Sequence, residues 1–457
     1  MFPTRTLTRA VVGLAILLLS SGASAGKPKG KEKPAGPAPA AAKFETVGQA
    51  EFAETSMNSG GARLAMGPDK KLYALVHSTT LTSPTSELNA FMLEGDKWVQ
   101  LGQPHFATAV AGADLTVTPD GQILVACSKG VYRYEAADKK FHLGLGTGRG
   151  YAGFSWGTEA EPHKWEKEMP SEYLTTVRAD SKNHVYLGTT FDGRAALLEY
   201  NKAMAEKWTA EKPCSNCSER DVQVEFYPVG QPVPSDGKSG TEYSPGKTAL
   251  QKRGVVSMNL AFDDKDQPLI AFDPEPAGVK WGFEVHRWDA AKNAFIPLGT
   301  FKGDDEGNPN GGYSDGKAEQ LTLLVHGSDV MVAYKEDSSQ KAERQWKASA
   351  MKWDGATWVQ VGPQGFSGSA VDHLTLAASN KDIFLAYDLL DDPIRGPSHA
   401  TVMKLDKAKN AWTLFGTATD ASQSGAYTHL LIGPDNVLYV SFCDTKNGKI
   451  TVKKAKL

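Results

Sequence analysis

Cysteine is scarce in this chain: four in 457 residues. That is too few for a disulfide scaffold, so the fold must rest on its apolar core. Neither charge is in excess. The 50 Lys and Arg against 53 Asp and Glu leave a formal charge of -3, which removes the global electrostatic case for nucleic acid or an anionic membrane as partner. Only residues 11–19 form an apolar run of note, and it is too short to span a bilayer comfortably. Sustained helical periodicity is rare, whereas the 45 glycines fit many short strands and turns. The glycines from Gly144 to Gly150 are followed by no Lys-Ser/Thr pair, so they make no phosphate loop.

What is present begins with Arg5 and Arg9, the apolar run, and Ala23-Ser24-Ala25. This order reads as a secretory signal over residues 1–25 and implies a secreted or periplasmic protein. Residues 26–43, rich in Lys, Pro and Ala, read as a linker without a packing face.

From residue 44 the chain repeats. Trp353-Asp354-Gly355-Ala356-Thr357-Trp358-Val359-Gln360-Val361-Gly362 reads as the outer hairpin of a unit, with Asp354-Gly355 predicting a two-residue turn. Variants recur as Lys97-Trp98-Val99-Gln100-Leu101-Gly102, Ala294-Phe295-Ile296-Pro297-Leu298-Gly299 and Ala411-Trp412-Thr413-Leu414-Phe415-Gly416. Seven units, spaced by roughly 45 to 85 residues with the extra length in loops, match propeller blades rather than a solenoid. The seventh unit lacks its fourth strand, and Phe44-Glu45-Thr46-Val47-Gly48-Gln49 matches what is missing. The N-terminal strand is therefore expected to close the last blade and remove a free sheet edge. Gln49-Ala50-Glu51-Phe52 after it echoes Gln103-Pro104-His105-Phe106. Over residues 44–457 the chain resembles the secreted bacterial seven-bladed β-propellers that carry a Tyr/Phe-x-Ala-Tyr/Phe strand and a Trp-x-x-x-Gly strand in each blade. The resemblance implies an all-β fold of four-stranded antiparallel blades and no particular activity.

If the first strand of each unit is innermost, the residue before its first Leu faces the channel mouth. That gives Arg63, Asp114, Tyr173, Asn259, Gln320, His373 and His429 as a polar ring, with a narrower, Thr-rich zone below. The long insertions, at residues 148–171, 211–255, 300–319 and 388–399, share the same face, and loops on a rigid scaffold are where binding tends to lie. Trp156, Trp165 and Trp281 stand in or beside them as stacking surfaces. His373, His429 and Asp372 offer metal-type ligands without a third position fixed by spacing, and residues 304–312 read as a solvated, oxygen-rich turn. Cys214 and Cys217 read as a local disulfide, and Cys127 and Cys443 as small core residues.

These residues describe an exported, monomeric binding or scaffolding module with no cofactor and no membrane span after signal removal. Its partner would be a carbohydrate, a peptide or a protein. The alternative is an extracytoplasmic enzyme acting on polysaccharide, a glycoside hydrolase or lyase, with its site at the channel mouth. A hydrolase needs two carboxyl groups across one bond, and the sequence places only Asp114 in the ring, with Asp372 nearby.

Overall fold

The computed structural model describes residues 41–457 apart from 56–59, 80–85, 109–112, 128–129, 145–152, 155–174, 192–193, 204–223, 230–253, 276–281, 293, 300–316, 338–345 and 393–396. The signal reading, residues 26–40 of the linker, Tyr173, Trp156, Trp165, Trp281, Cys214, Cys217 and residues 304–312 lie outside the described residues; at the linker's end the Ala42 amide donates to the Phe415 carbonyl at 2.7 Å.

Seven antiparallel sheets follow one another in chain order, each built on four strands. Their innermost strands are Ala62–Met66, Ala113–Val117, Thr175–Ala179, Gly254–Phe262, Lys317–His326, Val371–Ala378 and Gly425–Ile432, in blades 1 to 7. Each touches the next and the seventh touches the first, so the ring closes as a β-propeller. Glu45–Thr46 pairs antiparallel with Lys449–Lys456 in the register Glu45↔Lys454 and supplies the outer strand of blade 7, as the sequence predicts.

The core lies between blades. Second strands such as Ile123–Cys127 are buried at every position, because their two faces pack against the neighbouring sheets. Cys127 and Cys443 are buried there, as expected. Outer strands alternate instead: Trp98, Trp358 and Trp412 are buried, while Val99, Val359 and Thr413 face out.

The repeated Trp-x-x-x-Gly string is a clasp between blades. Trp98 Nε1 donates to the Val47 carbonyl at 2.9 Å, Trp358 Nε1 to Leu298 at 2.7 Å and Trp412 Nε1 to Val361 at 3.1 Å, each the residue just past the outer strand of the preceding blade. The glycine that follows turns the chain away with positive φ, 67° at Gly48 and 77° at Gly362. A Cβ there would lie 2.9 Å from Trp98 Cδ1 or 3.0 Å from Trp412 Cδ1. The echoed Gln-x-x-Phe string completes the grip. Gln49 Oε1 accepts the Trp98 amide at 3.1 Å and Phe52 stacks on Trp98; Gln103 and Phe106 treat Phe141 the same way. Gly362→Ala is expected to cost about 1–2 kcal/mol from the left-handed backbone alone, plus the clash with Trp412. Gly95→Ala, with φ of 62° and nothing within 4 Å, should cost only the first part. Urea midpoints of the two variants test the difference.

The Trp353–Trp358 hairpin turns one residue beyond Asp354-Gly355. Trp353 pairs directly with Trp358, the Asp354 amide donates to the Thr357 carbonyl at 3.1 Å around Gly355 and Ala356, and Asp354 Oδ1 accepts the amides of Ala356 at 2.9 Å and Thr357 at 2.8 Å. The aspartate side chain, as much as Gly355, sets this turn.

Candidate functional site at the channel mouth

The innermost strands line a central cavity of about 980 Å³. Their channel-side backbone amides have no sheet partner, and side chains at one ring level cap them. Asp114 Oδ2 accepts the Val177 amide at 3.1 Å, Thr322 Oγ1 that of Leu376 at 3.0 Å, and His429 Nδ1 that of Leu64 at 3.2 Å. Each residue thus caps the core position of the following blade. Strand register completes the level as Arg63, Asp114, Thr176, Asn259, Thr322, Thr375 and His429. Four of the seven expected ring residues stand here. In blade 3 the level falls on Thr176, three residues beyond Tyr173. Two positions on are Ala65, Thr116, Arg178, Ala261, Leu324, Ala377 and Leu431, a zone mostly of small and apolar residues rather than threonines.

Gln320 and His373 stand one step nearer solvent, for a physical reason. Blades 5, 6 and 7 each carry a register shift at the mouth: between Glu319 and Thr322, Asp372 and Thr375, and Ala426 and His429. Within these bulges Gln320, His373 and Tyr427 adopt left-handed backbone, with φ of 51°, 48° and 58°. Bulky residues are rare there, and such strain is retained where the surroundings over-determine it, often at functional sites. The bulges aim three polar side chains into one arc of the mouth. All three residues line the cavity.

The arc is organised by Asp388, whose side chain is 1% exposed. Its Oδ2 accepts the Tyr427 amide at 2.7 Å, its Oδ1 the Thr428 amide at 3.0 Å, and the Thr428 hydroxyl also donates to it. His373 Nδ1 lies 2.7 Å from Oδ2. An ionised carboxylate only accepts, so Nδ1 carries the proton and Nε2 is left with the lone pair in the neutral ring. Burial opposes a charge on His373, but Asp388, with Asp372 beside it, outweighs that and raises its pKa above the usual histidine value. Gln320 Oε1 accepts the His373 amide at 2.9 Å. Lys335 Nζ holds Asp372 at 3.0 Å; burial would raise that carboxyl, but His373 and Lys335 hold it below the usual range. The Tyr427 ring lies 4.3 Å from the His373 ring. Burial raises the pKa of its phenol, which stays protonated.

Across the mouth, Asp114 pairs with Arg178 and accepts the Thr176 hydroxyl at 2.7 Å. Burial would raise its carboxyl, but Arg178 and Arg63 hold it below the usual range. Burial, and then Arg178, push the Arg63 guanidinium below the usual arginine value against the pull of Asp114; a guanidinium is charged at neutral pH, and Arg63 lines the cavity. His429 is pushed down to about 3 by burial and by Arg63. It is neutral at working pH, and because Nδ1 accepts the Leu64 amide its Nε2–H is a donor. No cluster of three or more metal-ligating groups is found among the described residues.

Tyr427, Asp388 and Arg178 escape sequence reasoning. The available signal is the offset between Asp372-His373-Leu374-Thr375-Leu376 and Ala426-Tyr427-Thr428-His429-Leu430, which aligns His373 with Tyr427 once a bulge is allowed.

No protein-family model matches the chain, and no curated protein matches its sequence. Solved structures do resemble it. A polysaccharide lyase, Uly1, superposes with a TM-score of 0.52 at 11% identity, covering 91% of this chain and 98% of that one. An α-L-arabinanase of Penicillium chrysogenum complexed with arabinobiose gives 0.44 at 10% identity over 91% and 98%. A sialidase of Trypanosoma rangeli gives 0.42 at 9% identity over 91% and 59%. At these identities the likeness is one of fold.

Proposed function

We propose that this protein acts on an acidic, uronate-bearing polysaccharide at its channel mouth, by β-elimination. The observation that carries the reading is His373: strained into the mouth, fixed through Nδ1 by buried Asp388 at 2.7 Å, and lining the same cavity as Arg63. Elimination needs a cation on the uronate carboxylate, a base for the proton on the adjacent carbon, and an acid for the leaving oxygen. Arg63 suits the first role, since neutralising the carboxylate makes that proton removable. His373 Nε2 suits the second, with its basicity raised by Asp388. Tyr427 suits the third, as a phenol kept protonated. The C–H and glycosidic C–O bonds break and the carbon–carbon double bond forms; the C–H proton goes to His373 Nε2 and the leaving oxygen takes the Tyr427 phenol proton.

Hydrolysis fits less well. Among the described residues, the mouth carboxylates Asp114, Asp372 and Asp388 are all engaged, and burial with its partners leaves neither Asp114 nor Asp372 raised as a general acid must be. The lyase Uly1 shares the fold and is consistent with such chemistry on it. A second reading, recognition without cleavage, rests on the raised pKa of His373, which makes it a further cation for a carboxylate at lower pH. Both readings place the protein outside the cytoplasm with residues 1–25 removed. Among the described residues no helix is long and apolar enough to cross a membrane.

The test incubates residues 26–457 with polygalacturonate, alginate and glucuronan, with arabinan as neutral control. Ultraviolet absorbance of an unsaturated uronate, rising with new chain ends, is the expected result. New ends without that absorbance mean hydrolysis, and calorimetric binding without either means recognition only. No binding and no cleavage across the panel sinks the proposal for these polymers.

A further inference from the structure

The propeller's regularity exposes one reversed position, on the face opposite the mouth. In each blade, one residue of the third strand pairs with the residue of the second strand that follows the turn. Register places Met92, Arg133, Glu199, Arg287, Lys352, Lys404 and Lys454 there, in blades 1 to 7. Five of the seven are basic and blade 3 alone has an acid. In blade 6, Lys404 Nζ reaches Asp382 in the preceding turn at 2.8 Å and stands 5.8 Å from the Phe384 ring. In blade 5, Lys352 reaches Asp329 at 2.7 Å. The blade 3 counterparts of Asp382, Phe384 and Lys404 are His184, Tyr186 and Glu199.

The reversed pair does not close. His184 Nδ1 turns to buried Asp180 at 2.8 Å, and Glu199 keeps the Tyr186 hydroxyl as its hydrogen-bond partner. A cavity of about 420 Å³ opens between blades 3 and 4 at this point, lined by Glu199, Tyr186 and His184 on one side and Trp288 and Gln267 on the other; Lys182, paired with Asp266 at 3.4 Å, and Lys265 also border it. Burial, with Asp180 near, raises the Glu199 carboxyl against the opposing pull of His184 and the Tyr186 hydroxyl.

We infer that this cavity is a binding site for a ligand bearing a primary ammonium, which takes the place that Lys404 Nζ holds in blade 6. Glu199 accepts the ammonium, and the Tyr186 and Trp288 rings supply the aromatic wall that Phe384 supplies there. The ammonium can come from an amino sugar or from a lysine side chain; the chemistry is shared. The site is separate from the mouth and does not depend on its function.

The experiment titrates the full mature chain by calorimetry with glucosamine and with Nα-acetyl-lysine methylamide, using glucose and glucuronate as controls. Binding by at least one amine, at least tenfold tighter than by glucose, is expected. The two amines distinguish a sugar from a peptide source. Glu199→Gln should weaken it tenfold or more, and His373→Gln should leave it unchanged. The double variant His184→Asp with Glu199→Lys rebuilds the blade 6 pair. It should fold with an unchanged or higher melting temperature and lose amine binding. Amine binding that survives both Glu199 variants, or that does not exceed glucose binding, overturns the inference.

Discussion

His373→Gln is expected to lower turnover of an acidic polysaccharide by about 100- to 10,000-fold, the usual range for loss of a positioned general base, while the protein remains folded. Glutamine is the informative replacement because the fold already uses it. Gln320 occupies the same bulge position in blade 5, with φ of 51° against 48° at His373, so the strained backbone accepts it. Its side-chain amide can still donate to Asp388. What it lacks is the basic Nε2. Steady-state rates on the polyuronate that the native chain cleaves, with a melting curve as control, check this. A folded variant with unchanged kcat removes His373 from the chemistry and leaves the recognition reading.

The same residue sets opposite pH dependences for activity and stability. Its pKa is raised in the folded state, because Asp388 outweighs burial. Its contribution to stability is therefore full below the unfolded value of about 6.5 and is lost as pH rises through the higher folded value. Catalysis needs the neutral ring, so activity grows over the window in which that stabilisation fades. His429 works the other way. Depressed to about 3 by burial and Arg63, it favours the native state most above its unfolded pKa and progressively less as pH falls towards 3. Rate–pH and melting–pH profiles of the native chain should run in opposite sense above the unfolded histidine value of about 6.5, and His373→Gln should flatten both.

Where the fold is legible in the sequence, the reason is repetition. Trp98, Trp358 and Trp412 recur with a following glycine because every blade must grip the one before it, and the same grip makes Phe44 to Gln49 recognisable as the missing outer strand. The mouth is legible only in part, because a bulge adds residues to the count. Strand periodicity assigns His373 and His429 to equivalent places, each before a leucine, yet the pairing shift between Asp372 and Thr375 moves His373 outward and makes Tyr427 its true counterpart. Asp388 is further out of reach. It lies in the second strand of blade 6 and acts on amides of blade 7, 39 and 40 residues away, a relation that no local pattern records. The amine cavity is invisible until blades are aligned, since a single glutamate in a strand is unremarkable until six neighbours in register are seen to lack it.

Asp388→Ala should then be the most damaging single change at the mouth, costing about 3–5 kcal/mol, as removal of one partner from a buried charged network does. The amides of Tyr427 and Thr428, the Thr428 hydroxyl and His373 Nδ1 would all lose their acceptor together. The bulge in blade 7 has these bonds to hold its left-handed Tyr427, so local order should fail with stability, read as faster amide exchange at residues 426–429. Asp388→Asn separates structure from chemistry. Its carbonyl oxygen can still serve Thr428, so the loss should be smaller, about 1–3 kcal/mol. Its NH₂, however, would face His373 Nδ1 as a donor. The ring would then present its lone pair at Nδ1 and a proton at Nε2, where the base is needed. A folded Asp388→Asn protein with kcat reduced as far as in His373→Gln, and without the upward shift in the His373 titration, identifies Asp388 as the residue that positions the base. If Asp388→Asn instead keeps native turnover, the carboxylate is structural, and the orientation of His373 must come from the bulge itself.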